Sequence, residues 1–221
     1  MLTYLRAIVL TGRDKTMKRA YSVSNILTAK FKTLPFTGQW HDAVGDPELT
    51  GTWVIYGPPK HGKTSFAMML AKYLTEFRRV AYDSVEEGMS RTIQLALERT
   101  GMMDCGGKFV LLDKESVDDL KKRLDKHKSP DVVVIDSVQF MEMKFTEYKE
   151  LKSRYPHKLF VYVSHVQGNL PEGHVARRIW RDANVAWRVE GFRAFPVSRY
   201  GGGQHIDIDT TKATEYHGIG L

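Results

Sequence analysis

The sequence predicts an α/β fold, with a mostly parallel central sheet flanked by helices and an antiparallel extension at its C-terminal end. Three observations lead to it. From residue 51 onward, short apolar runs alternate with stretches of helical periodicity, the order that gives parallel strands joined by right-handed crossovers. Residues 132–135 (Val-Val-Val-Ile) are all β-branched, which suits a central strand buried on both faces. After residue 180 the pattern shortens to alternating strands.

The elements follow in order. Residues 53–56 form a buried strand, and the helix after Gly62 carries Phe66, Met69, Leu70 and Tyr73 on one face. Residues 80–82 form a second strand, followed by a helix through about Arg99 with Ile93, Ala96 and Leu97. A third strand spans 109–112, and its helix runs from 114 to 127, with Val117, Leu120 and Leu124 spaced by three and four. Strands at 131–135 and 159–163 follow. The extension comprises 185–189, 192–197 and 205–208, with Gly201, Gly202 and Gly203 between the last two.

Composition narrows the classes. A chain of 221 residues with 42% hydrophobic and 27% charged residues fits a globular protein with one large domain. A single cysteine, Cys105, excludes an intrachain disulfide, and no Cys/His cluster has metal-ligand spacing, so a reducing, cytoplasmic setting is expected. The apolar stretch 7–10 is too short for a membrane span or a signal-peptide core, and no membrane partner is expected. The net charge of +7 is concentrated in residues 1–32, where Arg6, Arg13, Lys15, Lys18, Arg19, Lys30 and Lys32 face only Asp14. Two readings of this arm stand, a nucleic-acid contact and a solvated terminus. Met17 offers an alternative start. The domains are thus a basic arm, 1–32, and an ATPase domain, 33–221, the second resting on the motifs that follow.

Residues 57–64 (Gly-Pro-Pro-Lys-His-Gly-Lys-Thr) match the phosphate-binding loop pattern in full, after a strand and opening a helix. Gly57 and Gly62 let the backbone of Pro58, Pro59, Lys60 and His61 curl so that its N–H groups face phosphates. The helix N-terminus at Lys63, Thr64 and Ser65 adds positive potential. Lys63 reaches the terminal phosphates and the Thr64 hydroxyl ligates Mg²⁺, so the cofactors implied are ATP and Mg²⁺. Asp136, at the tip of the β-branched strand, is the second magnesium-side residue, and the spacing lets its strand neighbour that of the loop. Because Ser137 rather than a glutamate follows it, the water-activating carboxylate comes from elsewhere. Glu86 and Glu87, past the end of the second strand, are the best-placed pair.

The glutamates after strand two, Ile135-Asp-Ser-Val-Gln139, Val163-Ser-His-Val166, the 79–99 segment and Phe192-Arg-Ala-Phe-Pro-Val-Ser-Arg-Tyr-Gly201 together resemble the RecA-type ATPases. The similarity is to the bacterial RadA branch, with the DnaB-type helicases as cousins. It covers roughly residues 36–210, with its motifs in the family's order. It implies a RecA-like P-loop fold and a homo-oligomer, ring or filament, with sites between protomers. By position it makes Glu86 the catalytic glutamate and His165 the sensor of the γ-phosphate. It makes 167–178 a loop touching single-stranded DNA, with Arg177 and Arg178 supplying charge. Trp180 then stacks on a base or belongs to the core, and Trp187 is read as core. Arg199 takes the place of a cation that reaches the neighbour's γ-phosphate, the alternative being a surface pair with Asp207 or Asp209.

The chain also departs from the pattern. Val197 stands where the family has a lysine, and RadA's zinc finger and protease-like domain and DnaB's collar have no counterpart in it. The expectation is a stripped ATPase core of the kind a phage or mobile element encodes, working with single-stranded DNA in recombination or replication. The alternative is a nucleotide-driven switch or loader acting on a partner protein.

Overall fold

The computed structural model describes residues 20–218. Arg6, Arg13, Lys15, Lys18 and Arg19 of the basic arm lie outside the described residues. The chain divides after Phe31 into two units. In the first, α1 (Val23–Leu27) is a single turn started by Ser22, whose hydroxyl accepts the Asn25 N–H at 3.1 Å while the Asn25 side chain accepts the Ser22 N–H. Its Val23, Ile26 and Leu27 are exposed.

The second unit opens with α2 (Gly38–Val44) and β1 (Gly51–Tyr56), then α3 (Lys63–Leu74), β2 (Val80–Ser84), α4 (Arg91–Thr100) and β3 (Phe109–Leu112). Next come α5 (Val117–Leu124), β4 (Val132–Asp136), α6 (Phe145–Arg154) and β5 (Leu159–Ser164). A small hairpin, β6 (Val166–Gln167) and β7 (Leu170–Pro171), leads to α7 (His174–Asp182). The chain closes with β8 (Val185–Glu190), β9 (Arg193–Ser198), β10 (Ile206–Asp207) and α8 (Thr210–His217). Eight strands form one sheet in the order β10-β9-β8-β1-β5-β4-β2-β3.

Alternation across β1 and β4 sorts the core into two layers. Trp53, Ile55, Val132 and Val134 face α3 and the aromatic segment before it, whereas Val54, Tyr56, Val133 and Ile135 face α5, α6 and α7. On the first side Trp40 of α2 stacks on Tyr73 with ring centroids 5.0 Å apart and packs edge-on to Trp187. Trp187 is fully buried, as its pattern indicates. Phe36 lies between Trp53 and Tyr73, so residues 34–44 close a face the apolar periodicity left open.

Several expectations change. β5 lies between β1 and β4, so the Asp136 strand is not the neighbour of the phosphate-loop strand. Register still brings their tips to one row: Tyr56 pairs with Ser164, Val163 with Asp136, and Asp136 with Ser84. The helix expected over 114–127 shrinks to α5, because Lys114 adopts φ 56° and the Ser116 hydroxyl caps the Asp119 N–H. In the C-terminal extension β8 runs parallel to β1, and only β8–β9 and β9–β10 are antiparallel.

Helices α2, α6 and α8 escape the sequence reading because each is short and buries few side chains, Ala213 alone in α8. The segment 167–178 is not one loop either: it divides into the β6–β7 hairpin and the first half of α7. The triple glycine serves an intrachain contact. A Cβ on Gly202 would lie 2.4 Å from the Ala43 carbonyl carbon, and one on Gly45 would lie 2.3 Å from Tyr200 O.

Candidate functional site

The loop after β1 has the form its sequence demands. Gly57 is buried, and a Cβ there would sit 1.9 Å from Val189 O, so only glycine lets the β8 backbone pass. Gly62 adopts φ 97°, a left-handed conformation that aims the loop into the first turn of α3. The loop's outer rim is braced by the β8–β9 turn. Gly191 N–H donates to His61 Nδ1 at 2.8 Å, Phe192 N–H donates to His61 O, and Tyr216 of α8 packs edge-on against the His61 ring. Pro58, Pro59, Lys60 and Ser65 complete the loop.

A cleft of about 460 Å³ opens beside it, and Lys63, Thr64, Glu86, Asp136, His165 and Phe192 all line it. Lys63 Nζ donates to Pro58 O at 2.7 Å, a carbonyl oxygen occupying the place where a phosphate oxygen would satisfy the ammonium. Burial lowers the Lys63 pKa, opposed by the negative charges of Asp136 and Glu86. The donor set fits a nucleoside triphosphate with its magnesium ion: a helix N-terminus, a half-buried ammonium, a hydroxyl and a carboxylate converge.

Asp136 is buried at the tip of β4, and the Asp136–Ser137 peptide is cis. Thr64 Oγ1 donates to its Oδ2 at 3.3 Å, so both expected magnesium-side residues meet. The Tyr82 hydroxyl donates to the same oxygen at 2.5 Å. Burial raises the Asp136 pKa, and Glu86 adds to the rise, while the Tyr82 and Thr64 hydrogen bonds and Lys63 hold it down. Tyr82 is not legible as a site residue in the sequence. It lies mid-strand in β2, and its role follows from β2 being Asp136's neighbour in the sheet.

The two glutamates separate. Glu86 Oε2 lies 3.2 Å from His165 Nε2, and the Glu86 N–H donates to Asp136 O at 3.1 Å. Glu87 also lines the cleft, but its carboxylate accepts from the Thr92 and Ser90 hydroxyls at the start of α4. Hence Glu86 and His165, from the tips of β2 and β5, form a pair across the cleft, and Glu87 is tied to the following helix.

The remaining expected residues lie away from the cleft. Arg177 donates to Pro171 O and Gln167 Oε1, and Arg178 stacks over the Phe145 ring with its guanidinium carbon 3.5 Å from the centroid. Trp180 is half-buried and packs edge-on to Tyr56, a core position. Arg199 follows β9, whose Ser198 pairs with Val185 of β8, itself opposite Trp53. It therefore sits at the sheet end opposite the phosphate loop, about 16 Å of strand away at ~3.3 Å per residue. Asp207 pairs with Arg193 and Asp209 with Lys212, so neither carboxylate takes the exposed Arg199 side chain.

A parallel sheet with a phosphate loop after its first strand and an acidic tip two strands away defines a P-loop nucleotide-binding fold. With the glutamate after β2 and the parallel-then-antiparallel extension, the fold is that of the RecA-type P-loop ATPases. Solved structures agree. The ATPase domain of a DnaB-like helicase matches with a TM-score of 0.50 and 16% identity, covering 71% of this chain and 80% of that one. The flagellar accessory protein FlaH from Methanocaldococcus jannaschii matches with a TM-score of 0.55 and 15% identity, over 80% and 95% of the chains. A KaiC-like protein from Pyrococcus horikoshii OT3 matches with a TM-score of 0.57 and 16% identity, over 76% and 89%. No family model and no curated protein sequence matches. Among the described residues no helix is long and apolar enough to cross a membrane.

Proposed function

We propose that this chain is a Mg-ATP-hydrolysing ATPase whose cycle is coupled to single-stranded DNA in a homo-oligomer. The observation that carries the reading is the convergence of Lys63, Thr64, Asp136, Glu86 and His165 on one cleft. In this reading Lys63 and the loop N–H groups hold the phosphates, and Thr64 and Asp136 would hold the magnesium ion. The metal, when bound, withdraws charge from the β- and γ-phosphates. Glu86 orients the attacking water and accepts its proton. His165, held 3.2 Å from that carboxylate, senses whether the terminal phosphate is present. Closed-ring or filament assembly completes the site, with Arg199 presented to the neighbouring protomer.

A second reading, a nucleotide-driven switch on a partner protein, draws on one observation. Arg177 and Arg178 already hold internal partners, so neither offers an unengaged guanidinium to a DNA phosphate.

One experiment tests both. The ATPase rate is measured with and without single-stranded DNA for the parent chain, Lys63→Ala and Glu86→Gln. Lys63→Ala should lose nucleotide binding. Glu86→Gln should bind Mg-ATP yet turn over about 10²-fold or more slowly, because an amide cannot accept the water's proton. Stimulation by DNA supports the first reading, and an unchanged rate with no DNA binding at low salt selects the second. Full activity of Glu86→Gln would sink the mechanism.

A further inference from the structure

Gln139, three residues beyond Asp136, spans the cleft end of the sheet to the β6–β7 hairpin. Its side-chain Nε2 donates to Ser164 Oγ and to Glu172 O, both at 2.8 Å, and its Oε1 accepts the His165 N–H at 3.4 Å. The Ser164 hydroxyl donates to His165 O, which also accepts the Glu172 N–H at 2.9 Å. His165 and Glu172 are the two residues that flank the hairpin, so one half-buried amide grips both of its feet. The adjoining Phe140 ring packs edge-on to His165 at 6.2 Å, closing that side of the imidazole.

We infer that Gln139 is a positioning residue that transmits the state of the nucleotide cleft to the hairpin. The inference rests on the reading of Glu86 and His165 given above. A primary amide suits the position because it alone among side chains of this length supplies two N–H donors and an acceptor in one plane. Any displacement of His165 when the cleft fills acts on the Gln139 carbonyl oxygen, and the rigid amide carries it to Ser164 and Glu172. The exposed hairpin tip at 168–170 then moves as one piece with His165. Here a chain of hydrogen bonds joins two sites through an element with few alternative partners.

The test uses the full chain with Mg²⁺ and a non-hydrolysable ATP analogue. Hydrogen exchange at residues 166–171 is followed with and without the analogue, alongside analogue affinity and steady-state kinetics. In the parent chain the analogue should change exchange across the hairpin. In Gln139→Leu, of similar size but without polar atoms, affinity and KM should stay within about threefold, whereas the hairpin response disappears and kcat falls about tenfold.

Gln139→Asn keeps the amide but is one methylene short, and it should behave like the leucine variant. It carries the test if Gln139→Leu does not fold. Two outcomes overturn the proposal: a parent hairpin that ignores the bound analogue, and a variant whose hairpin responds as the parent's does. The exchange measurement needs binding only. A parent that binds and signals to its hairpin but never hydrolyses would therefore refute the hydrolytic reading and leave the clamp standing.

Discussion

The two ends of the sheet are both polar, yet only one is arranged to receive something. At the end where β1 starts, the Tyr148 hydroxyl lies 3.1 Å from Thr52 Oγ1 and donates to Asp182, Lys152 Nζ donates to Asp182 at 2.6 Å, and Asn184 Oδ1 accepts the Thr52 N–H. Each group answers another, and only Arg199 beside them makes no side-chain hydrogen bond or ion pair among the described residues. At the end where β1 stops, Lys63 rests on a backbone carbonyl and Glu86 and His165 face each other across open space. Charge density is similar at the two ends, and what distinguishes the site is unfilled hydrogen-bonding capacity around a cleft. The unengaged arginine at the opposite end is the complement such a site would take from a neighbour.

The largest expected effect tests that complementarity. Arg199→Ala should lower ATPase activity about 10³-fold, the size of a guanidinium's contribution to phosphoryl-transfer charge. Arg199→Ala and Lys63→Ala chains, each inactive alone, should recover part of the activity when mixed, because one interface then holds an intact loop and an intact arginine. No recovery despite demonstrated co-assembly, or full activity of Arg199→Ala by itself, would remove the trans role.

Next in size is a pair of glycine substitutions, one at each end. Gly57→Ala places a methyl group 1.9 Å from a backbone oxygen and should cost ~3 kcal/mol or more. Gly203→Ala meets no atom within 4 Å and carries only the strain of φ 128°, about 1 kcal/mol. Urea unfolding of the two variants measures the difference, and equal losses would contradict the close approach of β8 to the phosphate loop.

The smallest effect separates burial from ligand binding as the cause of an unusual carboxyl. Asp83, fully buried on β2, has one oxygen accepting the Glu115 N–H at 3.1 Å and the other with no partner among the described residues. Burial is the main cause raising its pKa from 3.8 to about 7. The folded chain thus holds this proton more tightly than the unfolded chain. Its contribution is complete below about pH 3.8 and lost as pH rises through about 7. Asp83→Asn keeps the acceptor and never ionises. It should match the parent near pH 4 and be more stable by about 1–2 kcal/mol near pH 8. A stability difference that does not vary with pH would show that Asp83 does not titrate in this range.

The phosphate loop, the strand–helix alternation and the tip carboxylate were open to sequence reasoning because each is local. A glycine needing a special conformation, a run of β-branched residues and a lysine followed by threonine at a helix start carry their physical reasons within a few positions. Glu86 and Glu87 were equal in the sequence, and only the fold parts them, because His165 arrives from the tip of β5, 79 positions away. Sheet order decided more. Placing β5 between β1 and β4, and β2 beyond β4, gave Asp136 its bond from Tyr82 and set Gln139 against both feet of the hairpin. The sequence by itself determined which groups can hold phosphate and metal, because those properties belong to residue types and short backbone segments. The tertiary structure alone decided which carboxylate faces the cleft and which arginine points away from it, because hydrogen bonds across strands depend on register and order that no local pattern encodes.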